Sequence, residues 1–151
     1  ESFFLEPLAA GELALPAGAV PEPFVDVNDI ADVAVAALTE SGHAGRVHEL
    51  TGPRLLTFSE AVDEISRAAG RPLRFTEVPM DEYVAAMSGA GVPEDVISLT
   101  RYLFGEVLDG RNAAVTDDVR RALGRDATDF GDFARRAAAA GAWAEPAALR
   151  R

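Results

Sequence analysis

The chain has 151 residues, 48% hydrophobic and 26% charged, a balance that specifies one globular domain and excludes an intrinsically disordered chain. Its formal charge of −11 excludes nucleic acid and anionic membrane as partners, because both require a basic surface. The absence of cysteine excludes disulfides, thiolate metal sites and a Cys nucleophile. No apolar run approaches the roughly 18 residues of a membrane span, and the N-terminus lacks a signal peptide's charged region, so a cytoplasmic location is expected. The opening ESFFLEPL has no Met and starts inside an apolar patch, which predicts that upstream sequence is missing, by design or by proteolysis.

Residues 1–23 mix short apolar runs with LPAGAVPEP, where Pro and Gly mark turns. Phe24–Val27 alternates and reads as a strand. From Asp29 the period changes: Ile30, Val33, Ala34, Ala37 and Leu38 form the stripe of a helix packed on a core, ending near Ser41–Gly42. GRVHELTG, 45–52, reads as a second strand with a turn at Gly52–Pro53. Thr57 and Glu60 then form a capping box ahead of the stripe Phe58, Ala61, Val62, Ile65 and Ala69, and Gly70 closes that helix. RPLRFTEVP, 71–79, reads as a third strand. A short helix over MDEYVAAMSGAG follows, and Pro93, Glu94 and Asp95 open a longer one that runs to about Leu108. Two more capped helices are predicted over 116–123 and 128–140. The order is an α/β opening with a helical lobe behind it.

The three evenly spaced acids of FVDVNDIADVAVAAL invite a metal or carboxylate-cluster reading. Asp29, at the change of period, is better read as an N-cap with Asp32 at N3, and Asp26 as a strand residue off that helix face. The alternate acids, central Gly and closing Glu of an EF-hand are absent. His43 and His48 lack the further ligands and spacing of a zinc site, so no metal is expected, and His48 reads as packed or solvent-facing. There is no Gly-x-Ser-x-Gly elbow, and with no lysine in the chain a Tyr/Lys pair is impossible. Gly89 and Gly91 follow a helix and so make no dinucleotide fingerprint. Phe3, Phe4, Tyr83, Phe104 and Trp143, with Met80 and Met87, fit either a core or an apolar pocket, and helical spacing favours core for Phe104. Tyr83 and Met87 share one face of a short helix with Gly-rich ends, the outline of a lid. No catalytic residue is identified.

FFLEPL, then FVDVNDIADVAVAAL, then GRVHELTGPRLLTFSEAVDEISRAAGRPLRFTEVP resembles the C-terminal half of NmrA-like proteins, the atypical short-chain dehydrogenase/reductases of the NAD(P)-binding Rossmann superfamily. The run 24–79 carries the likeness most specifically, and ALGRDATDFGDFARRAA extends it weakly. The resemblance implies the fold class, α/β, as the C-terminal part of a Rossmann-like fold: a few strands with a mainly helical substrate-binding lobe. It implies the end of the sheet with crossover helices over 1–79, the lobe over 80–144 and a flexible tail over 145–151. It implies that NADP or NAD binds only with an N-terminal half that holds the Gly-rich phosphate loop, with Ser2, Phe3 and Phe4 running past the nicotinamide. Members usually have Asn where this chain has Pro7, which removes that polar contact. It implies a small-molecule partner, a quinone or carbonyl compound, held by Tyr83, Met87 and Phe104. The alternative is a non-catalytic NAD(P)-binding redox sensor whose helical lobe binds a protein; an isolated interaction module is a third reading, disfavoured by the apolar start. A truncated sheet would leave an exposed edge and apolar face, so self-association is expected.

Overall fold

Two four-residue strands lie at the centre of the computed structural model, which describes residues 2–144, with side chains from Phe4 onward. Strand β1 (Glu12–Leu15) pairs in parallel with β2 (Arg74–Glu77), Glu12 opposite Arg74 and Leu15 opposite Glu77. Helix α1 (Ser2–Ala10) precedes β1, and Gly11, at φ 109°, makes the reversal between them. Arg71 Nη2 donates to the carbonyl oxygens of Leu8 and Ala9, both at 2.7 Å, satisfying the C-terminal carbonyls of α1. Leu13 and Leu15 point to one face and are buried against Leu8, Val62, Ile65, Leu73, Ala134 and Trp143.

Helix α2 (Val27–Thr39) follows, then α3 (Phe58–Ala69), whose capping box forms as its sequence predicts. Glu60 N donates to Thr57 Oγ1 at 3.2 Å, and Thr57 N donates to Glu60 Oε2 at 2.8 Å. Beyond β2 come α4 (Met80–Gly89) and α5 (Glu94–Tyr102), which pack together. A π-helical segment, Leu103–Val107, prolongs α5; its last bond, from Leu108 N to Leu103 O, is 2.9 Å. Helix α6 (Asp118–Leu123) packs on α2, and α7 (Phe130–Ala139) lies along α3. Arg54 binds both Glu64 on α3 and Asp129 at the N-cap of α7, at 2.7 and 2.6 Å, and so fastens the two helices. The fold is α/β, with the small parallel sheet and dominant helices expected of the C-terminal part of a Rossmann-like reductase.

Several elements differ from the sequence reading. Helix α1 and strand β1 fall where only turns were expected, because four residues with two inward leucines give too short an alternation to recognise. Residues 24–26 pair with no strand; the nearest ladder bond is a single antiparallel bridge from Glu22 to Leu56. Asp26, rather than Asp29, caps α2, its carboxylate accepting from Asn28 N at 2.9 Å. Residues 45–52 are not a strand. Their backbone groups bond to side chains instead: Glu49 N donates to Asp118 Oδ2 at 2.7 Å, and Thr116 Oγ1 donates to Glu49 O. In α2 the inward face is Asp29, Val33 and Ala36, which leaves Ile30, Ala34, Ala37 and Leu38 of the expected core stripe exposed. The tail 145–151 lies outside the described residues.

The bridge residue Glu22 carries a buried Oε1 with no hydrogen-bond partner. Burial, and then the negative charge of Asp109, push its carboxyl above the ordinary range. A raised carboxyl costs stability above its folded pKa and nothing below its unfolded one. Glu22→Gln is therefore expected to stabilise the fold by about 0.5–1 kcal/mol at pH 7 and to lose that gain by pH 4. Urea melts at the two pH values check this; an equal gain at both would show that charge is not the cause.

Candidate functional site

The aromatic residues converge on one cavity. Phe4 of α1, Phe24 ahead of α2, Phe58 of α3, Phe130 and Phe133 of α7, and Trp143 line an apolar space of about 180 Å³. They are six of the chain's eleven aromatic residues, eight Phe, two Tyr and one Trp. Their contacts are edge-to-face or tilted: Phe24 meets Phe58 and Phe130, each at 5.3 Å between ring centres, and Phe133 meets Trp143 at 6.2 Å. Trp143 is fixed by its own N–H, which donates to Ala134 O at 3.1 Å. Phe24, Phe130 and Phe133 also border a smaller hollow of about 120 Å³ that reaches the polar groups of Asp26 and Thr128. Asp26 is buried and paired with Arg136. An aromatic box with a polar rim suits a flat, uncharged ring bearing an oxygen or nitrogen at its edge.

Of the residues expected to hold substrate, Tyr83 and Phe104 meet at 6.4 Å, and Phe104 stands 6.2 Å from Phe58. They extend the ring series outward without lining the cavity. Burial raises the Tyr83 hydroxyl pKa. Met87, one turn on, is half-buried and lies outside the cluster packed on the core. Phe4, expected beside a nicotinamide, instead lines the cavity, 6.4 Å from Phe58. The side chains of Ser2 and Phe3 lie outside the described residues. As residues of a cavity, Phe24, Phe58, Phe130, Phe133, Asp26 and Thr128 escaped the sequence reading, which places Phe58 in a core stripe and Asp26 in a strand. Their only local signal is the density of Phe in a chain where aromatics are 7%.

The acids of α2 are tied inward. Asp29, with no exposed surface, accepts from Arg125 Nη1 at 2.7 Å, Thr128 N at 2.6 Å and Thr128 Oγ1 at 3.0 Å. Burial pushes its carboxyl up, but the Thr128 N–H and the Arg125 guanidinium outweigh it and hold the pKa below the ordinary value. Asp118 is likewise held down by the Glu49 N–H and Arg121. His43 Nδ1 and His48 Nε2 are 3.1 Å apart and bond to each other. Among the described residues no group of three or more His, Cys, Asp or Glu is placed to hold a metal, and no helix is long and apolar enough to cross a membrane.

A dinucleotide's phosphates find no cradle here. β1 runs into Pro16, and no helix begins until Val27, so the glycine-rich strand-to-helix turn that binds pyrophosphate is absent among the described residues. The arginines near the cavity, Arg54, Arg125 and Arg136, are already paired with carboxylates.

No family model matches the chain. It is 37% identical over 130 residues to an NAD(P)H azoreductase of Xenophilus azovorans, covering 86% of this chain and 46% of that protein. The structure of the Citrobacter sp. triphenylmethane reductase complexed with NADP(H) superposes with a TM-score of 0.76 at 23% identity, over 91% of this chain and 48% of that one. An Escherichia coli NADPH-dependent quinone oxidoreductase complexed with NADPH superposes equally, TM-score 0.76 at 18% identity, over 89% and 49%. At these identities the two structures establish the fold alone. The chain spans about half the length of the curated relatives it matches. The chain is thus related in sequence to the azoreductase, shares the fold of the two reductase structures and corresponds to the C-terminal part of such proteins, in line with its resemblance to the NmrA-like, atypical short-chain dehydrogenase/reductase family.

Proposed function

We propose that this chain supplies the substrate-binding side of an NAD(P)H-dependent oxidoreductase acting on a small quinone-like or related carbonyl compound. The observation that carries the reading is the aromatic-lined cavity, in a chain 37% identical to part of an azoreductase. An apolar cavity of about 150 Å³ accommodates a benzene ring, so a space of about 180 Å³ suits a one-ring quinone, with a second ring reaching the polar rim. The described residues do not fit the dinucleotide's phosphates, so the chain's own part is to hold the ring, orient its polar edge toward Asp26 and Thr128, and exclude water. Residues 80–104, with Tyr83 and Phe104, form the outer wall of this binding region.

Trp143 is the chain's single tryptophan and lines the cavity, which makes it an internal reporter. Titration with a naphthoquinone is expected to quench its fluorescence saturably, with a dissociation constant of about 100 µM for a dozen heavy atoms. Ala61→Leu, which fills the cavity from α3, is expected to weaken that binding at least tenfold while the fold is retained by circular dichroism. Linear, unsaturable quenching, or an unchanged constant in the variant, would overturn the cavity assignment. Calorimetry of the same chain with NADPH is expected to show no micromolar binding; tight binding would mean that the phosphates have a site in this part after all. Enzyme and sensor are separated by assaying quinone-dependent NADPH oxidation in a polypeptide that carries this chain together with a dinucleotide-binding half. Tight nucleotide binding without turnover would favour the sensor.

A further inference from the structure

Hydrogen bonding at the rim of the smaller hollow runs in one direction. Among the described residues that line it, Asp26 and Thr128 carry the polar side chains; the others are Phe24, Val25, Phe130 and Phe133. The Thr128 hydroxyl has a single hydrogen, and its Oγ1 lies 3.0 Å from Asp29 Oδ1. Burial works against a charge on Asp29, but the Thr128 N–H and the Arg125 guanidinium keep this fully buried carboxyl ionised at neutral pH, so it only accepts. Thr128 is therefore the donor of that bond, and its oxygen has only lone pairs left for the hollow. Its main-chain N–H is committed to the same carboxylate, at 2.6 Å. Asp26, paired with the Arg136 guanidinium, has no hydrogen to give either. Its Oδ1 accepts from Asn28 N at 2.9 Å and its Oδ2 from Arg136 Nη2. A carboxylate has about four acceptor sites, so both oxygens keep room for a further donor. Arg136 itself is not among the lining residues.

We propose that this rim selects a ring whose edge donates hydrogen bonds, so that the substrate held here is an amino- or hydroxy-substituted quinone rather than a bare one. The inference rests on the reading that the aromatic cavity holds the ring. Phe24, Phe130 and Phe133 border both spaces, so a ring seated in the cavity turns one edge toward Asp26 and Thr128. A carbonyl oxygen at that edge meets the oxygens of both side chains and gains no partner from either. An N–H or O–H at the same place gains a charge-assisted bond to Asp26. Such a bond is roughly twice as strong as one to a neutral group, which sets it above any contact with the neutral N–H groups of the wall. Sites built on buried polar groups discriminate in this way far more sharply than apolar pockets discriminate by size. Asp29 acts here through Thr128: by taking the hydroxyl hydrogen it fixes which way the rim's second polar group faces.

Two probes of equal heavy-atom count test it, 2-amino-1,4-naphthoquinone, which donates at its edge, and 2-methyl-1,4-naphthoquinone, which does not. Titrated against Trp143 fluorescence at pH 7, the amino compound is expected to bind at least about tenfold more tightly. Asp26→Asn keeps a side chain that caps α2 but turns a donor-bearing amide to the rim, and is expected to bring the two constants within roughly threefold. A second pair of variants leaves the Asp26–Arg136 pair intact. Thr128→Val removes the hydroxyl while the main-chain N–H still reaches Asp29, and is expected to reduce the preference; Thr128→Ser, which restores the hydroxyl, is expected to restore it. Saturable binding of both compounds with equal constants, or tighter binding of the methyl compound, overturns the proposal and leaves the cavity assignment standing. A preference for the amino compound that survives both Asp26→Asn and Thr128→Val places the selection elsewhere and overturns it as well. If neither compound quenches saturably, the cavity assignment itself fails, and this inference fails with it.

Discussion

Gly52→Ala is expected to destabilise the protein by about 3 kcal/mol or more, lowering the melting temperature by roughly 6–12 °C for a domain of this size. Gly52 has no special φ, so the effect is not one of backbone freedom. It is one of space. A Cβ there would lie 1.9 Å from the carbonyl oxygen of Phe24, an atom of the main chain that no rotamer change can remove. Gly52 N also donates to Pro23 O at 3.2 Å, so the two segments are already drawn together. Accommodating a methyl means displacing the backbone of residues 23–25, and with it Phe24, which borders both the aromatic cavity and the polar hollow. The same substitution is therefore expected to weaken naphthoquinone binding. Gly89→Ala is the control: Gly89 ends α4 with nothing within 4 Å of the new methyl, and the exchange should be neutral or stabilise slightly. Thermal melts of the two variants beside the parent decide it. Comparable losses at both positions would mean that the close approach is not the cause.

Where an element's signals were local, they were legible in the sequence. The capping box of α3, its stripe of Ala61, Val62 and Ile65, and its closing Gly70 stand within fourteen residues, and all three features form. Strand β2 and helices α4 to α7 likewise fall near their expected positions. The failures share a cause. Residues 45–52 have a strand's alternation, but their hydrogen-bond partners are Asp118, Thr116 and Pro23, and no rule of spacing reveals partners 29 to 69 residues away. Helix α2 is apolar over so much of its circumference that periodicity cannot choose its inner face; the choice is made by Asp29 reaching across to Arg125 and Thr128. The cavity is the extreme case, with lining rings from residues 4, 24, 58, 130, 133 and 143. Tyr83 and Phe104, read as substrate contacts, lie 6.4 Å apart and stand one ring outside that lining.

Asp29 provides the sharpest test of what the acidic triplet does. An N-cap replaced by alanine costs about 1 kcal/mol. The structure makes Asp29 a buried clamp instead, and Asp29→Ala is expected to cost about 3 kcal/mol, because Thr128 N–H and one arm of Arg125 lose a charged acceptor together. Asn is not a benign replacement. Donors reach both carboxylate oxygens, Arg125 and Thr128 Oγ1 at one and Thr128 N at the other, while an amide offers one acceptor and would turn its NH₂ against a donor. About 2 kcal/mol is expected for Asp29→Asn. Asp32, more than half exposed, meets the same guanidinium at 2.6 Å, and Asp32→Asn should cost less than about 0.5 kcal/mol. The pH dependence follows from the sign of the shift. Because the folded Asp29 carboxyl is held below its ordinary 3.8, its contribution is complete above that value and is lost as pH falls through the lower, folded one. Urea melts at pH 7 should therefore separate parent and Asp29→Asn widely, and melts near pH 3 should bring them together. A cost near 1 kcal/mol at pH 7, or an equal cost at position 32, would return this residue to the rank of an ordinary helix cap.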